Sequence, residues 1–364
     1  MGTRQKPVVV VSAVNFSDFG PLSILRESLS FLSANYSDAY DVIALVHDRE
    51  LIGVNGIEYL EFPRCKTSWV NRLRFEFATC NRISRELKPF LWLSLHDITP
   101  RVSAERQAVY CHNPSPFYDL SMREAILEPK FALFNKFYAL LYRLNIQAND
   151  YVIVQQEWLR REFEERYGLR NVIVAHPKSN NSAFTDRDSK SSTFRFIYPC
   201  FPRVFKNIEV VLTAARTLEE KGRHFEVLLT LDGSENRYSK QLRDEFCDLT
   251  SVRFLGRLCR EDVFAQYAKS NCLIFPSKLE TWGLPITEFK ATGKPMLVAD
   301  LPYARETVGS SNDVVFFSPT DSIELANLME QALDGTLTFC KIQAQPIRQP
   351  FANDWGELFQ ILLA

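Results

Sequence analysis

Long hydrophobic runs are missing from this chain. No segment stays apolar and uncharged for the roughly 18 residues that a membrane-crossing helix needs, so no span is expected. An excess of charge is missing too: 43 Lys and Arg stand against 44 Asp and Glu, a net charge of -1 at pH 7. Without a basic field, a nucleic-acid partner is not expected. The eight cysteines include no Cys-x-x-Cys pair and no zinc-type spacing with histidine. Most sit in apolar runs, such as Cys272 in NCLIFPS, and read as reduced, buried thiols of a reducing compartment. The opening MGTRQKPVVVVSAV has an apolar run too short for a secretory signal core, and position 6 lacks the hydroxyl residue of a myristoylation signal. No internal repeat or low-complexity tract is found, which leaves repeat architectures aside.

What is present is length and alternation. The 364 residues, 46% of them hydrophobic, suit two domains with a core each. Short apolar runs such as KPVVVVSAV, YDVIALVHD, LWLSLHD, QAVYCHN and DYVIVQQ alternate with helix-like stretches such as ILRESLSFLSANY and EWLRREFEERYG. That rhythm predicts a parallel α/β sheet. A polar stretch at 176–193 interrupts it and reads as a linker. Alternation resumes at FRFIYP, with helices expected near 207–222 and 237–247, and continues to DVVFFSP. The expected organisation is two Rossmann-like domains at 1–178 and 193–345, a linker at 179–192, and a terminal helix within 346–364 that can cross back to the first domain. Such a pair leaves a cleft at the carboxyl ends of the strands, where helix N-termini converge on a ligand.

The most informative stretch is FPSKLETWGLPITEFKATGKPMLVAD, residues 275–300. NCLIFPS reads as a strand and PITEFKAT as a helix, with Pro285 suited to the first helical position and Gly293 to the C-cap. Glu280 then falls on the loop at the strand's carboxyl end, and Glu288 in the first helical turn. The backbone N–H groups around Gly283, Leu284 and Ile286 lack helical partners and can face an anion; Gly283 lets the backbone come close. A carboxylate can accept two hydrogen bonds from a vicinal diol. The pattern suits a diphosphate flanked by two hydroxyl-bearing groups.

This segment resembles the Glu-x7-Glu stretch of retaining family 4 glycosyltransferases, which have the GT-B architecture. VRFLGRLCREDVFAQYAKSNCLIFPS and YPCFPRVFKNIEVVLTAARTL continue the resemblance upstream, and FGPLSILRESLSFL and VYCHNPSPF resemble N-terminal pieces of a subgroup tied to bacterial surface polysaccharides. The resemblance implies a catalytic Glu280 at the donor sugar and Glu288 on the ribose hydroxyls. It implies Lys206, joined by Arg203, on the diphosphate. The Gly256–Arg257 region would lie by the base, His112 would reach the transferred sugar, and Gly20 would let the first loop approach the phosphates. Two departures stand out: Arg203 is closer to Lys206 than the family pattern has it, and the first loop has one Gly before Pro21 rather than two. Thr281-Trp282 replace smaller residues beside the sugar pocket.

The implied reaction moves a sugar from a nucleotide-diphosphate donor to a saccharide acceptor with retention. Cations and helix N-termini would stabilise the departing diphosphate. No metal and no cofactor is expected: the single Asp-x-Asp, Asp186-Arg187-Asp188, falls in the polar linker rather than at a strand end. His112 and the pair His96-Asp97 follow strands, which places them at the ligand edge, the latter pair on the acceptor side or packed as a hydrogen-bonded pair. His47, His176 and His224 read as structural or solvent-facing.

Residues 64–90 carry seven basic and two acidic residues with Trp69, Phe75 and Phe77 interleaved, and Phe131, Phe134, Tyr138 and Leu141 recur at helical spacing with Lys136 and Arg143. Such segments either lie on an anionic membrane or face the core with snorkelling cations. The first alternative implies a lipid-linked acceptor and a cytoplasmic protein held at the inner face of the plasma membrane. Two rival functions stay open: a nucleotide-sugar epimerase of the same architecture, and a non-catalytic two-domain sugar-binding protein.

Overall fold

The computed structural model describes residues 6–17, 19–177 and 193–364. The expected linker at 179–192 and the Asp186-Arg187-Asp188 triplet lie outside the described residues. Strands follow in the order β1 (Val8–Ala13), β2 (Asp41–Val46), β3 (Glu58–Glu61), β4 (Leu91–Ser94), β5 (Arg106–Tyr110), β6 (Tyr151–Val154), β7 (Val172–Ala175), β8 (Arg195–Tyr198), β9 (Glu226–Leu229), β10 (Val252–Phe254), β11 (Cys272–Phe275), β12 (Met296–Ala299), β13 (Val314–Phe317) and β14 (Phe351–Ala352). They form two sheets in which the named strands pair in parallel. The chain divides into two compact units, one of residues 1–117, 136–178 and 347–364, the other of 118–135 and 179–346.

The first unit holds the sheet β14-β7-β6-β5-β4-β1-β2-β3. Its central strands are apolar on both faces, as a sheet covered by helices on each side requires. Val9, Val11, Ala13, Leu91 and Leu93 join Leu25, Leu29 and Leu32 of the helix Phe19–Tyr36 in one core, and Val10, Ile43 and Trp92 join Phe75 and Ile83 on the other face. The end of the chain completes this unit. β14 pairs with β7, and the helix Trp355–Leu363, capped by Asp354, stacks Phe359 on Phe31 at 6.0 Å.

The second unit holds the sheet β10-β9-β8-β11-β12-β13. Ile208–Glu220 and Arg237–Glu245 follow the expected places closely, and Arg260–Lys269 is a further helix. Residues 118–135 depart from the expected boundary. The sequence places them in the first domain, yet they group with the second unit. The segment opens with a capping box, Ser121 with Glu124, that starts the helix Met122–Leu127.

In each sheet the strand order reverses at one place, between β1 and β4 in the first unit and between β8 and β11 in the second. Chains leaving neighbouring strands there turn to opposite faces, so the loops beyond them leave room for a ligand.

Candidate active site

In the second unit the loops after β8 and β11 bring Lys206 and Glu280 together. Lys206 Nζ donates to Glu280 Oε1 at 2.5 Å, with both side chains largely buried. Lys206 ends the one-turn helix Val204–Lys206. Tyr198, at the end of β8, donates its hydroxyl to the Lys206 carbonyl at 2.9 Å, and Lys278 N–H donates to the Phe205 carbonyl at 2.7 Å. Next to Lys206, Asn207 adopts the left-handed region (φ 57°) and its amide donates to the carbonyls of Pro276 and Pro319. Two loops distant in sequence are thus stitched together by one backbone bond and by the Asn207 side chain, which fixes where the ammonium sits. The negative charge of Glu280 adds to burial in pushing the hydroxyl pKa of Tyr303 and Tyr198 far up. Burial also pushes the Cys200 thiol up to about 12 against the pull of Lys206.

The turn after Glu280 depends on Gly283. Its φ of 86° is in the left-handed region, and a Cβ there would lie 3.3 Å from Ile286 Cδ1. The helix that follows is Leu284–Lys290. Pro285 is therefore its second residue, Ala291 its C-cap, and Gly293 lies two residues beyond. Glu288 is not in the first turn, as expected from the sequence, but one turn further in. It accepts from Tyr267 Oη at 3.2 Å and pairs with Arg260 at 3.4 Å. Burial raises its carboxyl pKa, with Arg260 and Tyr267 opposing. Leu284 is exposed.

Gly256 follows β10 at φ 72°, and a Cβ there would lie 3.3 Å from Asp232 Oδ2. Arg257 beside it is exposed. Arg203, expected beside the diphosphate, is half-exposed and ion-paired within the same unit. Its Nη1 donates to Glu128 Oε1 at 2.9 Å, so its charge already has a partner.

In the first unit Gly20 lies in the first turn of the helix Phe19–Tyr36 rather than in a loop. His112 follows β5 by two residues. Its ring lies 4.2 Å from that of Tyr110, tilted by 35°, and its Nδ1 meets the Gln155 amide at 3.3 Å, while Nε2 is shielded from solvent. Burial lowers its pKa, against the opposing charge of Asp97.

Asp97 is not turned toward an acceptor. Its carboxylate accepts from the backbone N–H of His112 and of Asn113, from Tyr142 Oη at 3.0 Å and from Tyr138 Oη at 3.1 Å. Its own φ of 67° is unusual for a side-chain-bearing residue. It shapes the loop that presents His112. His96 is buried, with Nε2 3.1 Å from Ser12 Oγ and 3.8 Å from Glu76 Oε1. Of the alternatives open for this pair, internal packing is what the contacts describe.

Sequence reasoning missed Glu76, Glu128 and Tyr142, and marked Tyr138 only as part of an apolar stripe. Glu76 sits in a π-helical turn, Phe75–Thr79, fully buried beside Arg72 at 2.9 Å. An i, i+4 Arg–Glu pair reads as a solvated helix face, so nothing in the sequence marked it as internal. The two tyrosines stand one turn apart, and their shared face was the one available signal.

The architecture is GT-B: two α/β domains, each on a parallel sheet. WaaG, a glycosyltransferase involved in lipopolysaccharide biosynthesis, matches with a TM-score of 0.61 at 13% identity, covering 90% of each chain. HepE of Anabaena, solved in complex with UDP-glucose, matches with a TM-score of 0.58 at 17% identity, also covering 90% of each chain. Residues 183–348 match the family of glycosyl transferases group 1, so the second unit carries a domain of that family. The O-antigen chain mannosyltransferase RfbU of Salmonella typhimurium is 20% identical over 220 residues, which span 59% of this chain and 57% of that protein. The chain thus spans about half the length of that mannosyltransferase, and the solved structures share its two-domain fold.

Proposed function

We propose that the whole chain transfers a sugar, with retention and without a metal, from a nucleotide-diphosphate donor to a saccharide acceptor in cell-surface polysaccharide synthesis. The observation that carries this reading is the Lys206–Glu280 pair at 2.5 Å, set on the two loops where the strand order reverses. Lys206 is the preorganised cation for the diphosphate. As the bond from the anomeric carbon to the diphosphate oxygen breaks, negative charge grows there and the ammonium stabilises it. Glu280 meets the donor sugar and Glu288 the ribose hydroxyls. The acceptor hydroxyl attacks from the face that the diphosphate leaves, and its proton passes to the departing phosphate oxygen.

The acceptor in this reading is lipid-linked. The stripe of Phe131, Tyr138 and Leu141 is buried, and so is Phe75, so these residues do not make a membrane face. In the first unit the exposed apolar residues are others: Trp69, Val70, Leu140 and Leu144. Trp69 meets Phe137 at 4.9 Å, which joins the two helices carrying them. Arg74, Lys136 and Arg143 on the same helices are exposed and suit anionic headgroups. Among the described residues no helix is long and apolar enough to cross a membrane, so contact would be peripheral, at the inner face of the plasma membrane.

The test is thermal shift against GDP, UDP and ADP and their sugars, followed by transfer assays in EDTA. A ligand that binds the folded state raises Tm, and Lys206→Ala should abolish the shift. Shifts that survive in Lys206→Ala, or transfer that stops in EDTA, would sink this reading.

A further inference from the structure

The one-turn helix that carries Lys206 has no cap of its own. Arg203 is its N-cap residue, extended at φ -141°, and its side chain makes no capping bond. The N–H of Val204 is therefore an orphan donor, in a residue that is itself buried. It is met by Glu128 Oε2 at 2.9 Å, while Glu128 Oε1 takes Arg203 Nη1 at the same distance. Glu128 stands 76 residues before Val204 in the chain and is itself buried. The same segment grips the next residue, since Phe205 packs between Tyr118 at 6.1 Å and Phe131 at 5.3 Å. Its Glu124 pairs with Lys278 at 3.6 Å, and Lys278 N–H holds the Phe205 carbonyl. Residues 203, 204 and 205 are thus each held from outside, and residue 206 alone turns its side chain to Glu280.

We propose that Glu128 is a positioning residue for Lys206: by capping Val204 and clamping Arg203 it fixes the turn that aims the ammonium at the donor diphosphate. This rests on the function proposed above. A buried carboxylate suits the task because it accepts two charge-assisted or backbone bonds at once. A glutamine keeps one acceptor but turns an amide donor toward either the guanidinium or the N–H, and so breaks one of the two bonds.

The test compares diphosphate with monophosphate. The tightest of GDP, UDP and ADP is chosen by calorimetry on the unaltered protein, and its affinity is measured beside that of the matching monophosphate. Glu128→Gln should weaken the diphosphate about tenfold, the scale of a lost cap, and leave the monophosphate unchanged. Loosening of the whole domain would weaken both alike, which would overturn the proposal. Lys206→Ala is run in parallel. If it spares the diphosphate, the reading of the site fails; if it weakens the diphosphate while Glu128→Gln does not, only the role of Glu128 fails. Glu128→Met, of similar volume and uncharged, should repeat the selective loss. If both Glu128 variants fail to fold, the residue carries the fold rather than the turn, and the proposal is wrong.

Discussion

At the scale of single residues, partners decide what a charged side chain is free to do. Glu280 and Glu288 were legible from their places around the Gly283 turn, and Lys206 and Arg203 from the family resemblance. Neither could reveal that Arg203 is engaged by Glu128, or that Asp97 is filled by four donors, since those partners come from other elements. Replacing Lys206 by Ala removes the charge nearest Glu280, and kcat should fall about 100- to 1000-fold in the sugar-transfer assay. Glu76 offers a pH test. Burial lifts its carboxyl from the usual 4.5 to about 7, against the attraction of Arg72. The folded chain then keeps this proton where the unfolded chain releases it, so Glu76 costs stability as pH rises from about 4.5 to 7. His96 acts in the other direction. Burial holds it neutral, so stability is lost as pH falls below its ordinary value of 6.5. Glu76→Gln removes the first effect and leaves the second. Its stability relative to the unaltered protein, from urea midpoints, should rise by on the order of 3 kcal/mol across that window and stay level above it. A flat difference would mean that Glu76 ionises as an exposed carboxyl does.

At the scale of elements, the apolar runs named the strands well, because a parallel strand buried on both faces has little freedom of composition. Helix starts were less legible. Gly283, in its left-handed conformation, sets the start of Leu284–Lys290, which moves Glu288 past the first turn. The Phe131–Leu141 stripe was legible as a face, but periodicity alone does not say whether a face meets core or lipid. The closing helix Trp355–Leu363 was legible as a helix, and its contacts lie with Phe31 and Tyr36 of the first long helix. Phe359 is fully buried there. Phe359→Ala should cost about 3–5 kcal/mol, seen as a lower Tm of the first unit, with little change in nucleotide affinity at temperatures where it stays folded. Loss of nucleotide binding under those conditions would contradict the proposal that the loops after β8 and β11 hold the nucleotide.

At the scale of the molecule, alternation of strands and helices made the two-sheet fold readable, while the membership of residues 118–135 was hidden. A boundary drawn where composition changes cannot detect a short segment whose partners, Arg203, Phe205 and Lys278, lie far along the chain. Whole-molecule behaviour also tests the membrane reading. Vesicles rich in anionic lipid should hold the protein at low salt and release it as ionic strength rises, because exposed Arg and Lys act over a Debye length of about 10 Å at 0.1 M. Retention that ignores salt, or no retention at all, would argue for a soluble acceptor. The pairing of β14 with β7 reaches further, into how the protein is made. A ribosome delivers the second sheet whole before it delivers the strand and helix that finish the first one. Until then Phe31, Tyr36 and the open edge of β7 lack their cover, so the part translated first is the part completed last.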